Sequence, residues 1–274
     1  MQPARPHEQH AATALYRPVA QNLVRALSNY SLVTPAGALR QHPGVTLVSS
    51  GIRYAVFNAA VLTEPRVTSV EELTARLVTA AGFYVKHGMP WSCWVCRDHL
   101  SLQTRSLGDL IFQRHRLRFI AEHMGLQAER LAPPVRSLPH LDVRPVLTPE
   151  TRHDFATITA EAFLLPQTIS RNIYDGPALW RGNYLGYVGY AGGRAICTAA
   201  TCTGPEGIGL YSVGTAFSYR GRGYAEAITR AAINIASESY GITRTVLQST
   251  ASGLELYQRL GYRPVTSILV YAVI

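Results

Sequence analysis

The residues best able to do chemistry lie in Val213–Ala227, VGTAFSYRGRGYAEA. A β-branched run enters a polar turn, passes through Arg220-Gly221-Arg222-Gly223-Tyr224-Ala225, and continues at helical spacing. The first turn of a helix leaves N–H groups unpaired and carries a partial positive charge. Glycines let a phosphate approach those donors closely, and Arg220 and Arg222 add charge and bidentate donors. Strand, RGRGYA, helix is therefore a diphosphate site on physical grounds. A dinucleotide fingerprint would need GxGxxG, whereas only Gly221 and Gly223 are present, and a P-loop would need a lysine that does not follow.

This cradle needs a strand before it and a helix after it. The helix is expected over Gly223–Tyr240, with Ala225, Ile228, Ala232, Ile235 and Ala236 as its core stripe and Gly241 as its stop. Strands are expected at Tyr184–Tyr190, Ala195–Cys202 and Ile208–Ala216, with Gly192–Gly193 and Gly204–Pro205 as turns. Thr148 followed by Pro149 is a helix start, opening a helix over Glu150–Phe163. The strand Thr243–Gln248, the helix Gly253–Leu260 and the strand Val265–Ile274 close the half.

At this point the sequence resembles a known family. RGRGYA matches the R/Q-x-x-G-x-G/A signature of the GCN5-related N-acetyltransferase (GNAT) superfamily through Arg220, Gly223 and Ala225. The later segment LQSTASGLELYQRLGYRPV is similar to the second motif of that family, a helix with a tyrosine that ends in leucine–glycine–aromatic. Tyr257 and Leu260-Gly261-Tyr262 stand at those positions. The resemblance covers roughly residues 141–274, with the elements in family order.

The resemblance implies a specific site. Its fourth and fifth strands splay, and the pantetheine arm of acetyl-CoA lies in the gap along Val213, Gly214 and Thr215. The amides from Gly221 to Ala225, Tyr224 included, hold the pyrophosphate. The family often has an asparagine seven residues before the tyrosine; Thr250 stands there in this chain. Tyr257 is implied as general acid, since a phenol with a pKa near 10 can protonate a departing thiolate; read without the family, it packs the helix on the sheet. No base is evident. Glu161 ends a helix near the expected acceptor cleft, and Tyr174 and Trp180, in the loop Gln167–Trp180, are candidate acceptor walls or core residues. The expected acceptor is the amine of a small molecule or peptide, and no metal is called for.

The 274 residues allow one large domain or two. Hydrophobic residues make up 47% and charged residues 16%, which fits a packed core. The net charge of +9 is carried by scattered arginines, so nucleic acid is not the expected partner. No apolar run is long enough to span a bilayer, and MQPARPHEQHAATALYRPVAQ lacks the apolar stretch of a secretory signal, so the cytoplasm is the expected location. Cys93 and Cys96 form a CxxC, but WSCWVC reads as a buried strand whose cysteines face opposite ways, with no further ligands for a tetrahedral site.

The first half repeats the order of the second without sequence identity. Strands are expected over Val45–Val61, a helix capped by Thr68 with Glu71 or Ser69 with Glu72, a strand at Trp91–Cys96, a helix around Leu107–His123 and a strand near Leu126–Leu131. Where a cradle would sit, the chain reads LTEPRVTSVEEL, without a glycine pair and with Glu64, Glu71 and Glu72 to repel phosphate. Ala132–Leu141, APPVRSLPHL, is the linker. The expected fold class is α/β, a mixed sheet of α+β type, as tandem GNAT-like domains that are each a twisted sheet flanked by helices. A degenerate half would cover 1–135 and a catalytic half 136–274. The competing readings are a non-catalytic acyl-CoA-binding protein and an aminoacyl transferase of the tandem type.

Overall fold

The computed structural model describes residues 15–273. The expectation about a leader therefore falls largely on residues 1–14, outside the described residues. Helix α1 (Arg17–Ser28) opens the fold with a proline in its first turn. It is followed by strands β1 (Ala38–His42), β2 (Val45–Ser49) and β3 (Asn58–Leu62), helix α2 (Val70–Lys86), strand β4 (Ser92–Cys96), helix α3 (Leu102–Arg114) and strand β5 (Leu117–Ala128). The second half contains β6 (Asp142–Pro145), α4 (Pro149–Phe163), α5 (Gln167–Tyr174), β7 (Tyr184–Ala191), β8 (Arg194–Gly204) and β9 (Gly207–Thr215). It continues with α6 (Tyr224–Tyr240), β10 (Thr245–Ser249), α7 (Leu254–Arg259) and β11 (Arg263–Val273).

The caps explain the helix starts. Ser69 accepts from the backbone N–H of Glu72 at the head of α2, and Thr148 forms a reciprocal capping box with Thr151 ahead of α4. Gly241 ends α6 in the left-handed region, at φ 68°.

One expectation fails. In place of a helix around Leu107–His123 and a strand near Leu126–Leu131, the helix stops at Arg114 and a twelve-residue strand follows. The break is at Arg116, whose φ is 60°. Leu107, Ile111 and Leu117 keep an apolar spacing that a helix also satisfies, but β5 pairs along both its edges, with β10 and with β11. Those tertiary hydrogen bonds override local propensity.

All the strands form one eleven-stranded mixed sheet, in the order β1-β2-β3-β4-β11-β5-β10-β9-β8-β7-β6. Only β3 with β4 and β10 with β9 are parallel among the paired strands. The centre is symmetric: each parallel pair is flanked by the other half's last strand, β11 beside β4 and β5 beside β10. The two halves thus exchange strands and share one sheet.

Helices cover both faces. On one, α2 and α3 pack over Leu47, Leu62, Cys93 and Val95, and α6 and α7 pack over Leu126, Leu210 and Leu247. On the other, α4 and α5 cover Tyr184, Val188 and Cys202, while α1 lies over Val61, Cys96, Ile268 and Val270. Cys93 and Cys96 thus face opposite sides of the sheet. Burial pushes the Cys197 and Cys202 thiols up to about 12, which keeps them protonated and unreactive near neutral pH.

Candidate functional site

The site begins where β9 and β10 part. They pair only from Ile208 with Thr245 to Leu210 with Leu247. Beyond Leu210, β9 continues to Thr215 with β8 on one edge and no strand on the other. A bulge lies in this free stretch: Tyr211 pairs with Ala200 and Gly214 with Thr198, so Ser212 and Val213 share one partner position. Ser212 takes φ 50° there, and its carbonyl accepts from Thr198 Oγ1 at 2.9 Å. The splay and the bulge leave backbone groups of β9 open to one side.

That opening is the mouth of a cavity of about 600 Å³ that runs between the two strands, a volume in the range of small-molecule sites. Val213, Gly214 and Thr215 line its β9 wall, and Gly221, Gly223, Tyr224 and Ala225 line its head. Gly223 is the residue before α6. Its φ is 87° and no side chain caps the helix, so the first-turn N–H groups remain available to an acceptor from outside. Gly221, at φ 75°, has open space where a Cβ would stand. Thr215 Oγ1 is buried without a hydrogen-bond partner among the described residues. Bare donors with an unpaired hydroxyl beside them fit a ligand rich in oxygen acceptors.

Tyr257 reaches the cavity from α7. It is 9% exposed, lies edge-on to Tyr262 at 5.7 Å between ring centroids, and its hydroxyl bonds to no described residue. Burial pushes its phenol above the ordinary tyrosine range, so it holds its proton through neutral pH. Thr250 also lines the cavity, with its hydroxyl 3.0 Å from that of Ser252.

Arg220 also lines the cavity, whereas Arg222, Glu161, Tyr174 and Trp180 are not among its lining residues. Arg220 donates through Nε to the Thr215 carbonyl at 3.1 Å and through Nη2 to that of Ala162 at 3.2 Å. Its guanidinium also lies 4.1 Å from the centre of the Phe217 ring, so it braces the cradle loop. Arg222 is exposed at the rim, 5.6 Å from the Tyr219 ring. Glu161 accepts from the Phe217 N–H at 2.6 Å, which ties its carboxylate to the same loop. Tyr174 and Trp180 are core residues, 2% and 5% exposed. The Trp180 indole donates to the Tyr174 carbonyl at 2.9 Å, and both pack on Phe155.

Residues that the sequence did not single out complete the lining. Tyr211 and Gln248 stand at the apex of the splay, and both are held by α1 from the first half. Tyr211 donates to Asn22 Oδ1 at 2.7 Å, and Gln248 donates to the Val19 carbonyl at 3.3 Å. Arg136 enters from the linker. Both apex residues lie on expected strands, but only the long-range contact with α1 marks them out.

The equivalent place in the first half is closed. β3 pairs with β4 up to its last residue, Leu62 with Val95, so no gap opens. At the head of α2, Ser69 accepts from Glu72 N–H and the Glu72 carboxylate accepts from Thr68 N–H at 2.9 Å. Arg76 then fills the loop, donating to the carbonyls of Gly44, Thr63 and Pro65 at 2.8–3.0 Å. Two donors that could hold an anion are thus already used, and the Arg76 guanidinium occupies the loop.

Among the described residues, no group of three or more His, Cys, Asp or Glu could hold a metal ion, and no helix is long and apolar enough to cross a membrane. Comparison with curated protein sequences finds no match. Several solved structures share the fold. A GCN5-related N-acetyltransferase from Kribbella flavida superposes with a TM-score of 0.68 at 17% identity, over 90% of this chain and 93% of that one. A GCN5-related N-acetyltransferase from Sphaerobacter thermophilus gives 0.60 at 15% identity, over 86% and 82%. A tandem GNAT protein from the clavulanic acid biosynthesis pathway gives 0.55 at 13% identity, over 87% and 83%, so the two-part arrangement also has a solved counterpart. The family model of the acetyltransferase (GNAT) family matches residues 142–262. The splayed strands, the bulge and the bare helix head all lie within residues 142–262, the part of this chain that matches the GNAT family.

Proposed function

We propose that this chain moves an acetyl group from acetyl-CoA to the amine of a small molecule or peptide, by direct transfer within the second half. The observation that carries this reading is the continuity of one cavity. It joins the uncapped head of α6, the open edge of β9 and Tyr257. Acetyl-CoA supplies the activated thioester. The amides of Gly221–Ala225, with Arg222 at the rim, hold the diphosphate. The open-edge backbone groups of Val213 and the Thr215 N–H pair with the amide-bearing arm as a further strand would, the Thr215 carbonyl being held by Arg220, and Thr215 Oγ1 gains a partner there.

Tyr257 Oη holds the proton that the departing sulfur needs. Desolvation raises the pKa of the phenol and acts in the same direction on a thiolate formed in that cavity, so the match between donor and leaving group is kept. Among the described residues, no free carboxylate lines the cavity. Glu226, its one acidic lining residue, is bound to Arg230 at 2.8 Å. The amine therefore reaches the thioester carbonyl already neutral, its proton having gone to water. Tyr211, Ser212 and Gln248 offer it uncharged hydrogen-bonding groups.

The domain reading follows. Residues 136–274 hold the chemistry, and 1–135 form a GNAT-like half without cofactor that supports the apex through α1.

Isothermal titration with CoA, paired with release of free thiol from acetyl-CoA over a panel of primary amines, tests the function. Saturable binding with amine-dependent thiol release is expected. Binding without turnover on any amine would leave a non-catalytic CoA-binding protein, and no binding would end the reading.

A further inference from the structure

The linker between the halves is pinned across the head of the cavity. Ala132 N–H donates to the Leu260 carbonyl at 2.9 Å, and Arg230 Nη1 donates to the Ala132 carbonyl at 2.6 Å. Further along, a Cβ built on Gly223 would stand 3.2 Å from Cδ of Pro139 and 3.8 Å from Nη2 of Arg136. The segment thus passes over the end of α7 and the start of α6, and the Arg136 guanidinium lies beside the bare helix head. Pro133, Pro134 and Pro139 restrict its backbone.

The other cations lining this cavity are engaged. Arg220 is bound to the carbonyls of Thr215 and Ala162, and Arg259 is paired with Glu255 at 3.2 Å. Arg136 has neither an ion pair nor a side-chain hydrogen bond among the described residues. An unpaired guanidinium next to unpaired amides is a complementary pair of donors for one dianionic group. We infer that Arg136 is a cofactor-binding residue that grips the diphosphate of CoA together with the α6 amides, which makes the linker the third wall of the cradle. This assignment rests on the proposed use of CoA.

Titration of CoA and of 3′-dephospho-CoA into the wild type, Arg136→Gln and Arg136→Lys tests it. Loss of one charge-assisted contact at a solvent-exposed rim predicts affinity about tenfold weaker for Arg136→Gln. The same factor is expected with both ligands, together with partial recovery in Arg136→Lys and an unchanged melting temperature. Equal CoA affinity in wild type and Arg136→Gln would overturn the inference. So would a defect that vanishes with 3′-dephospho-CoA, since the contact would then be to the 3′-phosphate, and so would a lowered melting temperature with no recovery in Arg136→Lys, since the arginine would then be structural. Failure of the wild type itself to bind CoA would instead remove the proposed function.

Discussion

Tyr257 combines enclosure with availability. Its ring is packed against Tyr262, and its hydroxyl bonds to no described residue. A tyrosine that only filled core space would need no cavity at its tip, whereas a proton donor needs one. A positioned general acid contributes about a hundredfold or more to rate, so Tyr257→Phe is expected to lower kcat about a hundredfold with little change in the KM for acetyl-CoA. Because burial raises this pKa, the acid form persists to higher pH than in a free phenol. Turnover of the wild type should therefore not fall below about pH 10 through loss of this proton. Steady-state kinetics from pH 6 to 10 on both proteins checks this, and an unchanged kcat in Tyr257→Phe would remove the residue from the chemistry.

At the scale of elements, α1 is the unexpected participant. Asn22, fully buried, donates to the Cys202 carbonyl at 3.0 Å and to Glu206 at 3.2 Å, and accepts from Tyr211. Arg25, one turn on, pairs with Glu206 at 2.6 Å. Asn22→Ala would leave the Tyr211 hydroxyl and the Cys202 carbonyl without that partner, and is expected to cost about 2–3 kcal/mol. Urea unfolding followed by far-UV circular dichroism measures it; a shift worth less than about 0.5 kcal/mol would mean that α1 is not a structural part of the second half. Nothing in the sequence marks Asn22, because its partners lie about 180 positions away. The local signals were legible: Thr148-Pro149 at α4, Ser69 with Glu72 at α2, Gly241 after α6, and the glycines of the cradle all act through near neighbours. What the sequence does not show shares the opposite cause. β5 is not legible locally because its partners are β10 and β11, and Arg116 turns the chain without a glycine to announce it. An aromatic side chain looks the same from the sequence in a cleft wall or in a core, so the sequence does not distinguish the two for Tyr174 and Trp180. The charge of Arg220 is visible in the sequence, and its contacts with the carbonyls of Thr215 and Ala162 are not.

At the scale of the whole molecule, the exchange of β5 and β11 governs how the chain can be divided. A cut at the linker gives fragments 1–135 and 136–274, each with a complete order of helices and strands. Yet β10 would lose β5 from one edge, and β11 would lose both neighbours, β4 and β5. Leu247, Ile268, Val270 and Tyr271, each at most 3% exposed, would lose much of their cover. Full exposure costs roughly 1.5–3 kcal/mol for each such side chain, a sum comparable with the whole stability of a typical domain, about 5–15 kcal/mol. Open strand edges would also invite association. Fragment 136–274 expressed alone is therefore expected to aggregate or to lack a cooperative melt, although it contains the cavity lining from Arg136 to Arg259. Co-expression with a tagged 1–135 fragment should recover a 1:1 complex that co-purifies through size exclusion and unfolds cooperatively. A monomeric 136–274 fragment with a sharp thermal transition would show that the strand exchange is dispensable, and that the first half is an accessory to the catalytic fold.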